Sequence, residues 1–456
     1  MTTSKSAAQT NRLADESTAQ TNRLANESTA QTKKLGIYVH IPFCVSKCAY
    51  CDFLSFANTS SELQDAYINA LTNEIKTHAF VYSRKYIDNK NIGYYDEYAV
   101  NSIFIGGGTP SVLNPDQILR VLDAIRQNFN VDFDCEITIE ANPNTISESS
   151  SKIVPDVDSD TASTKASEAK LHKYLQAGIN RISFGAQSFD DNVLGVMGRT
   201  HIAKDIEKSF FLARNAGFKN INIDLMSATF GQDIKIWKDT LNRTIELDPE
   251  HISFYSLQIE KGTKFFDMLK AGRYENPSGQ FIKLDKTDKF DKLDREMYHT
   301  ALEQFEKAGY VHYEISNVAK SGYECRHNIK YWTMNDYLGV GIGAHSYIEG
   351  KRFGNIRDIN EYIENAGQHG FDFVHKNDLS DDISEYVFTG LRMMKGIELG
   401  DFERKFKRTL QDVYSNEWQQ IEKYIADGML IMSDGRLRLS KTGIDISNRI
   451  MSEFML

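Results

Sequence analysis

The sequence predicts an α/β fold: a parallel β-sheet, either a barrel or a doubly wound sheet, followed by a smaller C-terminal domain. Two observations predict this fold. Six short apolar runs alternate with amphipathic stretches, and such an alternation of strands and helices is typical of parallel sheets. At 456 residues the chain is too long for one ordinary domain, which leaves room for a second unit.

The strand candidates are short apolar runs that cover residues 36–43, 101–110, 135–143, 181–189, 221–228 and 251–260. The stretches between them carry apolar residues at helical spacing and predict helices at residues 61–79, 115–129, 168–177, 203–216 and 233–246. Two polar segments interrupt the alternation, near residues 83–98 and near residues 146–167. We expect both segments to be surface insertions.

The domain organisation follows from where this alternation begins and ends. It spans residues 35–270, and residues 271–374 form a connecting region. The last segment, residues 375–456, has predicted helices at 381–394, 399–407 and 411–427, then a hairpin at 429–440 with the turn Asp434–Gly435. Helices followed by a hairpin predict a winged-helix-like C-terminal domain.

The N-terminal segment, residues 1–34, contains an internal repeat. Residues 8–18 (AQTNRLADEST) are followed by residues 19–29 (AQTNRLANEST). Each copy has one large apolar residue, Leu13 or Leu24, and can bury little surface. We therefore expect a disordered polar tail.

The composition limits the class of protein. The formal net charge of −10 and the isoelectric point near 5.6 argue against nucleic-acid binding, because phosphate contacts need a basic face. The N-terminus lacks the apolar core of a signal peptide, and no run reaches the roughly 18 apolar residues that span a bilayer. The sequence therefore predicts a cytoplasmic protein without a transmembrane segment, and it leaves peripheral membrane contact open.

Three of the five cysteines form a C-x3-C-x2-C motif directly after the first predicted strand: Cys44, Cys48 and Cys51. An odd, clustered set suits metal binding in a reducing compartment better than disulfides. A [4Fe–4S] cluster normally takes four thiolates, so three leave one iron open to a small molecule. S-adenosylmethionine (SAM) can fill that position through its amino and carboxylate groups. The alternative is a structural zinc site, with Cys135, Cys325 or a distant histidine as the fourth ligand.

Several residues at or after the ends of the later strands suit a charged nucleotide ligand, because functional groups in α/β barrels lie at the carboxyl ends of strands. The second strand ends in a glycine run, where the backbone can approach a ligand closely. A carboxylate ends the third strand, an amide ends the fourth, an arginine follows it, and a carboxylate lies on the fifth. These residues are Gly106, Gly107, Gly108 and Thr109, then Glu140, Gln187, Arg199 and Asp224.

The segment Y-V-H-I-P-F-C-x3-C-x-Y-C-D-F (residues 38–53) resembles the cluster loop of radical SAM proteins in the oxygen-independent coproporphyrinogen III oxidase family. The resemblance runs from about residue 36 to the C-terminus, outside the two insertions. It implies a partial (β/α)6 barrel with a smaller C-terminal domain, a [4Fe–4S] cluster and bound SAM. The SAM contacts that it implies are Tyr38, Tyr50, Gly107, Gly108, Thr109, Glu140, Gln187, Arg199 and Asp224.

One loop departs from the family pattern. After Asp224 the family usually reads L-x-x-G-L-P-x-Q, whereas residues 225–232 here read LMSATFGQ, without the proline. We therefore expect the loop after the fifth strand to differ from the family, while the strand itself is kept.

Two features favour the heme chaperone branch of this family over the oxidase itself. The oxidase has another cysteine two residues beyond the third, whereas Asp52 and Phe53 stand here. Residues 327–332, HNIKYW, match the H-N-x-x-Y-W motif that is associated with heme binding in the chaperone branch. Imidazole is a common ligand of heme iron, and flat aromatic side chains suit a porphyrin. The implied heme contacts are His327, Tyr331 and Trp332.

The sequence thus predicts a heme chaperone that binds heme, carries the cluster and SAM, and passes heme to an unidentified acceptor hemoprotein, with a respiratory one as first candidate. Alternative iron ligands are Cys325 and His345, and the structural alternative is a hydrogen-bonding His327 with Tyr331 and Trp332 in the core. The oxidase remains the alternative function, although we expect no such activity. A radical SAM enzyme with another substrate, such as a methyltransferase, is a third. Both a monomer and a homodimer are compatible with the sequence.

Overall fold

A computed structural model describes residues 32–82, 84–88, 91–95, 98–146, 157–275, 281–283, 288–368 and 370–456. The repeat at residues 8–29 lies outside the described residues, as do parts of both predicted insertions. The disordered tail therefore stays a prediction.

The strands, numbered in chain order, are β1 (Lys33–Ile41), β2 (Phe43–Cys44), β3 (Phe56–Ala57), β4 (Arg84–Asp88), β5 (Asn91–Tyr95), β6 (Tyr98–Gly107), β7 (Asn130–Ala141), β8 (Arg181–Gln187), β9 (Ile221–Ser227), β10 (His251–Ser256), β11 (Arg273–Glu275), β12 (Phe281–Lys283), β13 (Val311–Glu314), β14 (Asn317–Ala319), β15 (Tyr337–Val340), β16 (His345–Ile348), β17 (Lys351–Asn355), β18 (Phe371–Lys376), β19 (Ile397–Glu398), β20 (Leu430–Ser433) and β21 (Arg436–Leu439).

The α-helices are α1 (Ser61–Tyr82), α2 (Pro115–Asn128), α3 (Pro143–Ile146), α4 (Val157–Gln176), α5 (Asp191–Val196), α6 (Ala203–Ala216), α7 (Ile234–Leu247), α8 (Lys264–Ala271), α9 (Asp288–Lys307), α10 (Arg326–Trp332), α11 (Ile359–Glu364), α12 (Leu379–Gly390), α13 (Leu399–Phe406), α14 (Leu410–Val413), α15 (Trp418–Ala426), α16 (Lys441–Ile444) and α17 (Ser447–Ser452). A short 3-10 helix covers Pro110–Val112.

One large sheet has the six predicted strands at its centre, all parallel, in the order β10–β9–β8–β7–β6–β1. A helix follows each of these strands along the chain, as in a (β/α) barrel. The sheet does not close on itself, because β1 pairs on its other side with β15 and β10 with β14. The predicted fold class, an α/β partial barrel with a smaller C-terminal domain, is therefore confirmed.

The sheet continues beyond the barrel strands on both sides. The antiparallel pair β13–β14 extends it past β10, and β15 adds to β1 in parallel. Strands β16, β17 and β18 then continue in antiparallel order to the far edge. The region that connects the barrel to the C-terminal domain thus supplies both ends of the main sheet. In the first predicted insertion, β4 and β5 form an antiparallel hairpin.

The helices pack on the sheet through faces that the sequence encodes. In α2, Ile118, Val121, Leu122 and Ile125 are buried at the spacing of one helical face. Asn114 begins this helix with a capping box, in which its side chain accepts a hydrogen bond from the backbone and its own N–H is bound by Gln117. Such faces form one continuous core with the strands. Among the helices of the described chain, none combines the length and the apolar character needed to cross a membrane.

Two predicted helices differ from those observed. The helix expected at residues 168–177 begins already at Val157. The single helix expected at residues 411–427 is divided into α14 and α15 by a turn at residues 414–417. This turn contains Ser415 and Asn416, whose side chains compete with the helical backbone for hydrogen bonds.

The C-terminal part combines α12 to α17 with a small antiparallel sheet in the order β19–β21–β20. Strands β20 and β21 form the hairpin predicted at residues 429–440. Its turn residues Asp434 (φ 53°) and Gly435 (φ 72°) both have the left-handed conformation that a tight hairpin turn requires.

Candidate functional site

The cysteine motif lies in a loop that is fixed to the carboxyl ends of the barrel strands. Cys44 belongs to β2, which pairs with β3 on the far side of the loop. The backbone N–H groups of Gly108 and Thr109 donate to the carbonyls of Ile41 and Phe43 at 2.8 and 2.7 Å. The loop and the glycine run after β6 therefore form one structural unit, as expected when functional groups gather at this end of a barrel.

The three cysteines of the motif line one cavity of about 130 Å³, and all three are free thiols of intermediate exposure. The Sγ of Cys44 lies 3.6 Å from Oγ1 of Thr109, and the Sγ of Cys48 accepts a hydrogen bond from Arg199 at 3.4 Å. Burial raises the pKa of the Cys44 thiol and raises that of Cys51 to about 11. A cation nearby would help the Cys44 and Cys51 thiols to ionise.

The positions of the cysteines can be compared with the two metal centres that the sequence allows. In the described part of the chain, no three His, Cys, Asp or Glu side chains converge so as to hold one metal ion. In a cubane each thiolate binds a different iron atom, so the sulfurs surround the cluster without meeting at one point. Three thiols around a common cavity therefore fit a [4Fe–4S] cluster better than one zinc ion. Cys135 and Cys325, the candidate fourth zinc ligands, are both buried outside this cavity.

The glycine run forms a close-fitting wall of the cavity. Gly107 has φ 112°, and a Cβ there would lie 2.5 Å from the His40 ring. A Cβ on Gly108 would lie 2.7 Å from the Phe43 carbonyl oxygen. Gly107 therefore requires glycine for both conformation and space, and Gly108 requires it for space. A backbone without side chains at this wall can approach a ligand directly, which fits a SAM contact.

Two carboxyl groups face the same cavity from adjacent parts of the sheet. Glu140 is the last residue but one of β7 and accepts a hydrogen bond from the Gly107 N–H at 3.0 Å. Burial, followed by the negative charge of Asp224, raises the pKa of Glu140 to about 7. Burial also raises the pKa of Asp224, which accepts hydrogen bonds from Ser183 at 3.1 Å and Asn222 at 2.7 Å. Partly buried carboxyl groups of this kind suit hydrogen bonds to ribose hydroxyls or an ammonium group.

The guanidinium of Arg199 lies at the side of the cavity and is partly buried. It donates to Cys48, to the Tyr50 hydroxyl at 3.4 Å and to the Gly185 carbonyl, while its Nε has no partner among the described residues. Close by, Gln187 has φ 69°, a left-handed conformation that is uncommon outside glycine and often found at functional sites. An unpartnered buried donor beside the cysteines fits a ligand that carries a carboxylate.

All the residues predicted to contact SAM line the cysteine cavity except Tyr38. Tyr38 instead lines a second cavity of about 370 Å³ and donates to Nδ1 of His40 at 3.1 Å. That direction follows because Nε2 of His40 faces the Leu54 carbonyl oxygen at 2.9 Å and must carry the ring proton. Both cavities are lined by Phe53, Gly107, Glu140, Ser183, Asp224 and Tyr255. They are therefore neighbouring parts of one site.

The predicted heme segment forms α10 and reaches this second cavity in part. His327 and Tyr331 line the cavity. Trp332 lies on another side of the helix, where its ring packs at 4.2 Å against the guanidinium carbon of Arg392. The difference follows from helical geometry, because residues four apart share a face and the next residue is rotated away.

His327 is 1% exposed and is hydrogen-bonded through both ring nitrogens. Its Nδ1 lies 3.0 Å from the Ser102 hydroxyl, and its Nε2 lies 2.9 Å from the Tyr331 hydroxyl. Burial lowers the pKa of His327 to about 3, which keeps the imidazole neutral. A neutral imidazole is the form that binds iron, and here it also has a structural role in the packing of α10.

The two alternative iron ligands lie elsewhere. Cys325 is buried beside Glu136, to which its thiol donates at 3.7 Å, and burial raises its pKa to about 12. His345 is exposed on β16, with its ring 5.2 Å from that of Phe373. Neither side chain lines the two cavities.

Several residues of the site were not singled out from the sequence. They occupy alternate positions on neighbouring strands and point to the same side of the sheet as the predicted ones: Arg181 and Ser183 on β8, Asn222 on β9, and Ser253 and Tyr255 on β10. The signal was present, because Arg181, Ser183, Gly185 and Gln187 alternate with apolar residues. The loop after β9 that lacks the family proline is closed by its own hydrogen bonds, from Gln232 to the Thr229 and Met226 carbonyls at 3.1 and 3.3 Å.

Comparisons with known proteins agree over most of the chain. Residues 38–243 match the family model of the radical SAM superfamily, and residues 377–446 match that of the HemN C-terminal domain. The heme chaperone HemW of Bacillus subtilis (strain 168) is 32% identical over 92% of this chain and 98% of that protein. The heme chaperone HemW of Lactococcus lactis subsp. lactis (strain IL1403) is 31% identical over 92% of this chain and 97% of that protein.

Among solved structures, coproporphyrinogen III oxidase (HemN) from Escherichia coli superimposes with a TM-score of 0.73 at 20% identity. The match covers 94% of this chain and 92% of that chain. At this level of identity the similarity shows a common fold and carries no statement about activity.

Proposed function

The chain belongs to the HemW family of radical SAM proteins, and on this premise we propose that it is a heme chaperone that binds heme and passes it to an acceptor protein. The observation that carries the proposal is the shared wall of the two cavities. One cavity contains the cysteine motif, and the other is lined by His327 and Tyr331. Cofactor and heme would therefore be held side by side at the open end of the barrel.

In this proposal Cys44, Cys48 and Cys51 hold a [4Fe–4S] cluster, and SAM lies against the glycine run. When bound, cluster and SAM supply one-electron chemistry at the SAM sulfonium. The contacts to SAM come from Tyr50, Gly107, Gly108, Thr109, Glu140, Gln187, Arg199 and Asp224, with Tyr38 at the border of the second cavity. Arg199 orients a carboxylate, and the two carboxyl groups accept from hydroxyls or an ammonium group.

Heme is the cargo of the second cavity, and His327 is its proposed iron ligand. The imidazole is already neutral, so iron binding requires that Nε2 release the Tyr331 hydroxyl 2.9 Å away. Ser102 would continue to hold Nδ1 and thereby the plane of the ring. Tyr331 then contacts the porphyrin, while Trp332 supports α10 from the side of Arg392.

The acceptor in this proposal is a hemoprotein, for which a respiratory protein is the first candidate. A cytoplasmic location fits three unpaired, partly exposed cysteines, since such thiols persist in a reducing compartment. The chain acts as a monomer or homodimer, with no nucleic acid as partner, and the proposal allows peripheral membrane contact.

The test is an anaerobic hemin titration of the reconstituted protein, followed by absorption spectroscopy. The wild type should bind hemin saturably, and His327→Ala should weaken binding or change the heme spectrum. The matched control is His345→Ala, which removes an exposed histidine outside both cavities and should leave binding unchanged. Purely nonspecific binding by the wild type would contradict the proposal. Production of protoporphyrinogen from coproporphyrinogen during anaerobic turnover would instead establish the oxidase.

Replacement of Cys44, Cys48 and Cys51 by alanine tests whether the cluster takes part in transfer. We expect slower heme transfer to an acceptor apoprotein, because the cluster loop forms a wall of the shared site. If transfer is unchanged, the cluster has only a structural role.

A further inference from the structure

Arg181, the first residue of β8, is a buried cation that has no partner among the described residues. It is 2% exposed and lines the second cavity. Within the part of the chain that the structure describes, its side chain makes no hydrogen bond and no ion pair, and its Nε is fully buried and unpaired. A guanidinium offers five N–H donors, and burying them unsatisfied is unfavourable. Arg181 therefore differs from an arginine that merely balances a charge in the core.

The nearby carboxyl groups already have other partners. Glu136 accepts from the backbone N–H groups of Arg326 and His327 at 3.1 and 3.2 Å and from the Cys325 thiol. Asp224 is bound by Ser183 and Asn222. Glu136 and Asp224 affect the Arg181 guanidinium by their charge and not by a hydrogen bond, so its N–H donors remain open to a ligand in the cavity.

The remaining surface of the cavity suits a flat ligand. The ring of Phe104 lies between those of Tyr38 and His327, with centroid distances of 6.3 and 5.4 Å and interplanar angles of 29° and 32°. These rings give the cavity an apolar aromatic wall, with Arg181 also on its lining. Its volume of about 370 Å³ lies within the range of small-molecule sites, roughly 300–1,000 Å³.

We propose that Arg181 anchors a carboxylate of the ligand that fills this cavity, which, on the proposed function, is a propionate group of heme. A guanidinium fork matches a carboxylate in bidentate fashion. A phosphate also fits such a fork, but Glu140 and Asp224 line the same cavity and oppose a doubly charged anion. The carboxylate of SAM is the other source of this chemistry, and Arg199, which contacts Cys48, is better placed for it.

The test uses ligands with and without free carboxylates on the full-length, cluster-reconstituted protein. Anaerobic titrations compare hemin with hemin dimethyl ester, whose propionates are blocked, for the wild type and Arg181→Met. A charge-assisted hydrogen-bonded pair predicts that the wild type prefers hemin by about tenfold or more, and that Arg181→Met loses this preference. The matched control is Arg126→Met, which removes an equal charge from α2, outside both cavities, and should keep the preference.

Three results would overturn the inference. One is equal affinity of the wild type for hemin and its ester, a result that needs no variant. The second is a preference for hemin over its ester that is undiminished in folded Arg181→Met. If the methionine variant does not fold, Arg181→Lys takes its place, because lysine keeps the charge but not the guanidinium fork. The third is a loss of SAM affinity in the Arg181 variant with hemin affinity unchanged, which would assign the anchor to SAM.

Failure of this inference and failure of the proposed function are distinguishable. If wild-type protein binds no hemin saturably, both fail. If His327→Ala weakens hemin binding while esterification and Arg181→Met do not, the heme site stands and the carboxylate anchor fails.

Discussion

Replacement of Glu140 by glutamine should change how the stability of the protein depends on pH. Glu140 is partly buried near the end of β7 and receives one hydrogen bond, from the Gly107 N–H. Glutamine keeps an oxygen that can accept this bond but cannot ionise. The charged and polar groups that bear on Glu140 are Asp224, Arg181 and the Gly107 N–H, and burial has the largest effect on its pKa.

The sign follows from proton linkage. The pKa of Glu140 is raised from 4.5 to about 7 in the folded protein, so the unfolded chain loses this proton at a lower pH than the folded chain. The stability that the protonated Glu140 contributes to the folded protein is therefore fully present below pH 4.5 and is lost as the pH rises through about 7. At 1.36 kcal/mol for each pH unit, the loss amounts to about 3 kcal/mol.

The assay is urea unfolding of the wild type and of Glu140→Gln at pH 5 and at pH 8, without added SAM. Between these two pH values the variant should gain roughly 2–3 kcal/mol of unfolding free energy relative to the wild type. Identical pH dependence of the two proteins would refute the reasoning, since it would mean that Glu140 ionises in the folded protein as it does in the unfolded chain.

Three further predictions concern the same end of the barrel. Gly108→Ala places a Cβ 2.7 Å from the Phe43 carbonyl oxygen and should destabilise the protein by about 1–3 kcal/mol in urea unfolding; an unchanged midpoint would show that the loop has room to move. Asp190→Ala removes the cap of α5, which binds two backbone N–H groups at 3.0 Å, and should lower stability by about 1 kcal/mol in thermal unfolding, whereas Asp190→Asn should retain most of it. Arg199→Lys should lower the affinity for SAM about tenfold in equilibrium dialysis, because lysine cannot reproduce the guanidinium fork. An unaltered affinity would remove Arg199 from the proposed SAM contacts.

The barrel strands and the cluster loop could be predicted because each is specified locally. Strong apolar runs predicted the six central strands, and the motif of Cys44, Cys48 and Cys51 follows the first of these strands in the sequence. The outer strands β15 to β18 could not be predicted in the same way. They are four to six residues long, and β15 pairs with β1 across some 300 residues of chain, so no local pattern specifies the partner.

Within the site, the sequence identified residues at strand ends but not those deeper in the sheet. Arg181 begins β8 and lies on the same face as Ser183, two residues further on, because side chains alternate along a strand. The position of Trp332 could also not be predicted from the motif alone, because the sequence HNIKYW (residues 327–332) does not show that this segment forms a helix. Once they do, His327 and Tyr331 share one face and Trp332 packs against Arg392 on another.

The hydrogen bonds of His327 bear on how a carrier could release its cargo. Nε2 is already bound to the Tyr331 hydroxyl at 2.9 Å, so an iron atom must displace that hydrogen bond to reach the ring. A hydrogen bond contributes about 0.5–1.5 kcal/mol net, which lowers the affinity for iron by roughly 2- to 12-fold compared with an open histidine. On the proposed function, the same hydroxyl would reclaim the imidazole when heme departs, and Ser102 would keep the ring oriented. Such competition suits the heme transfer that we propose, because it would keep binding reversible and would preserve the site after heme has left.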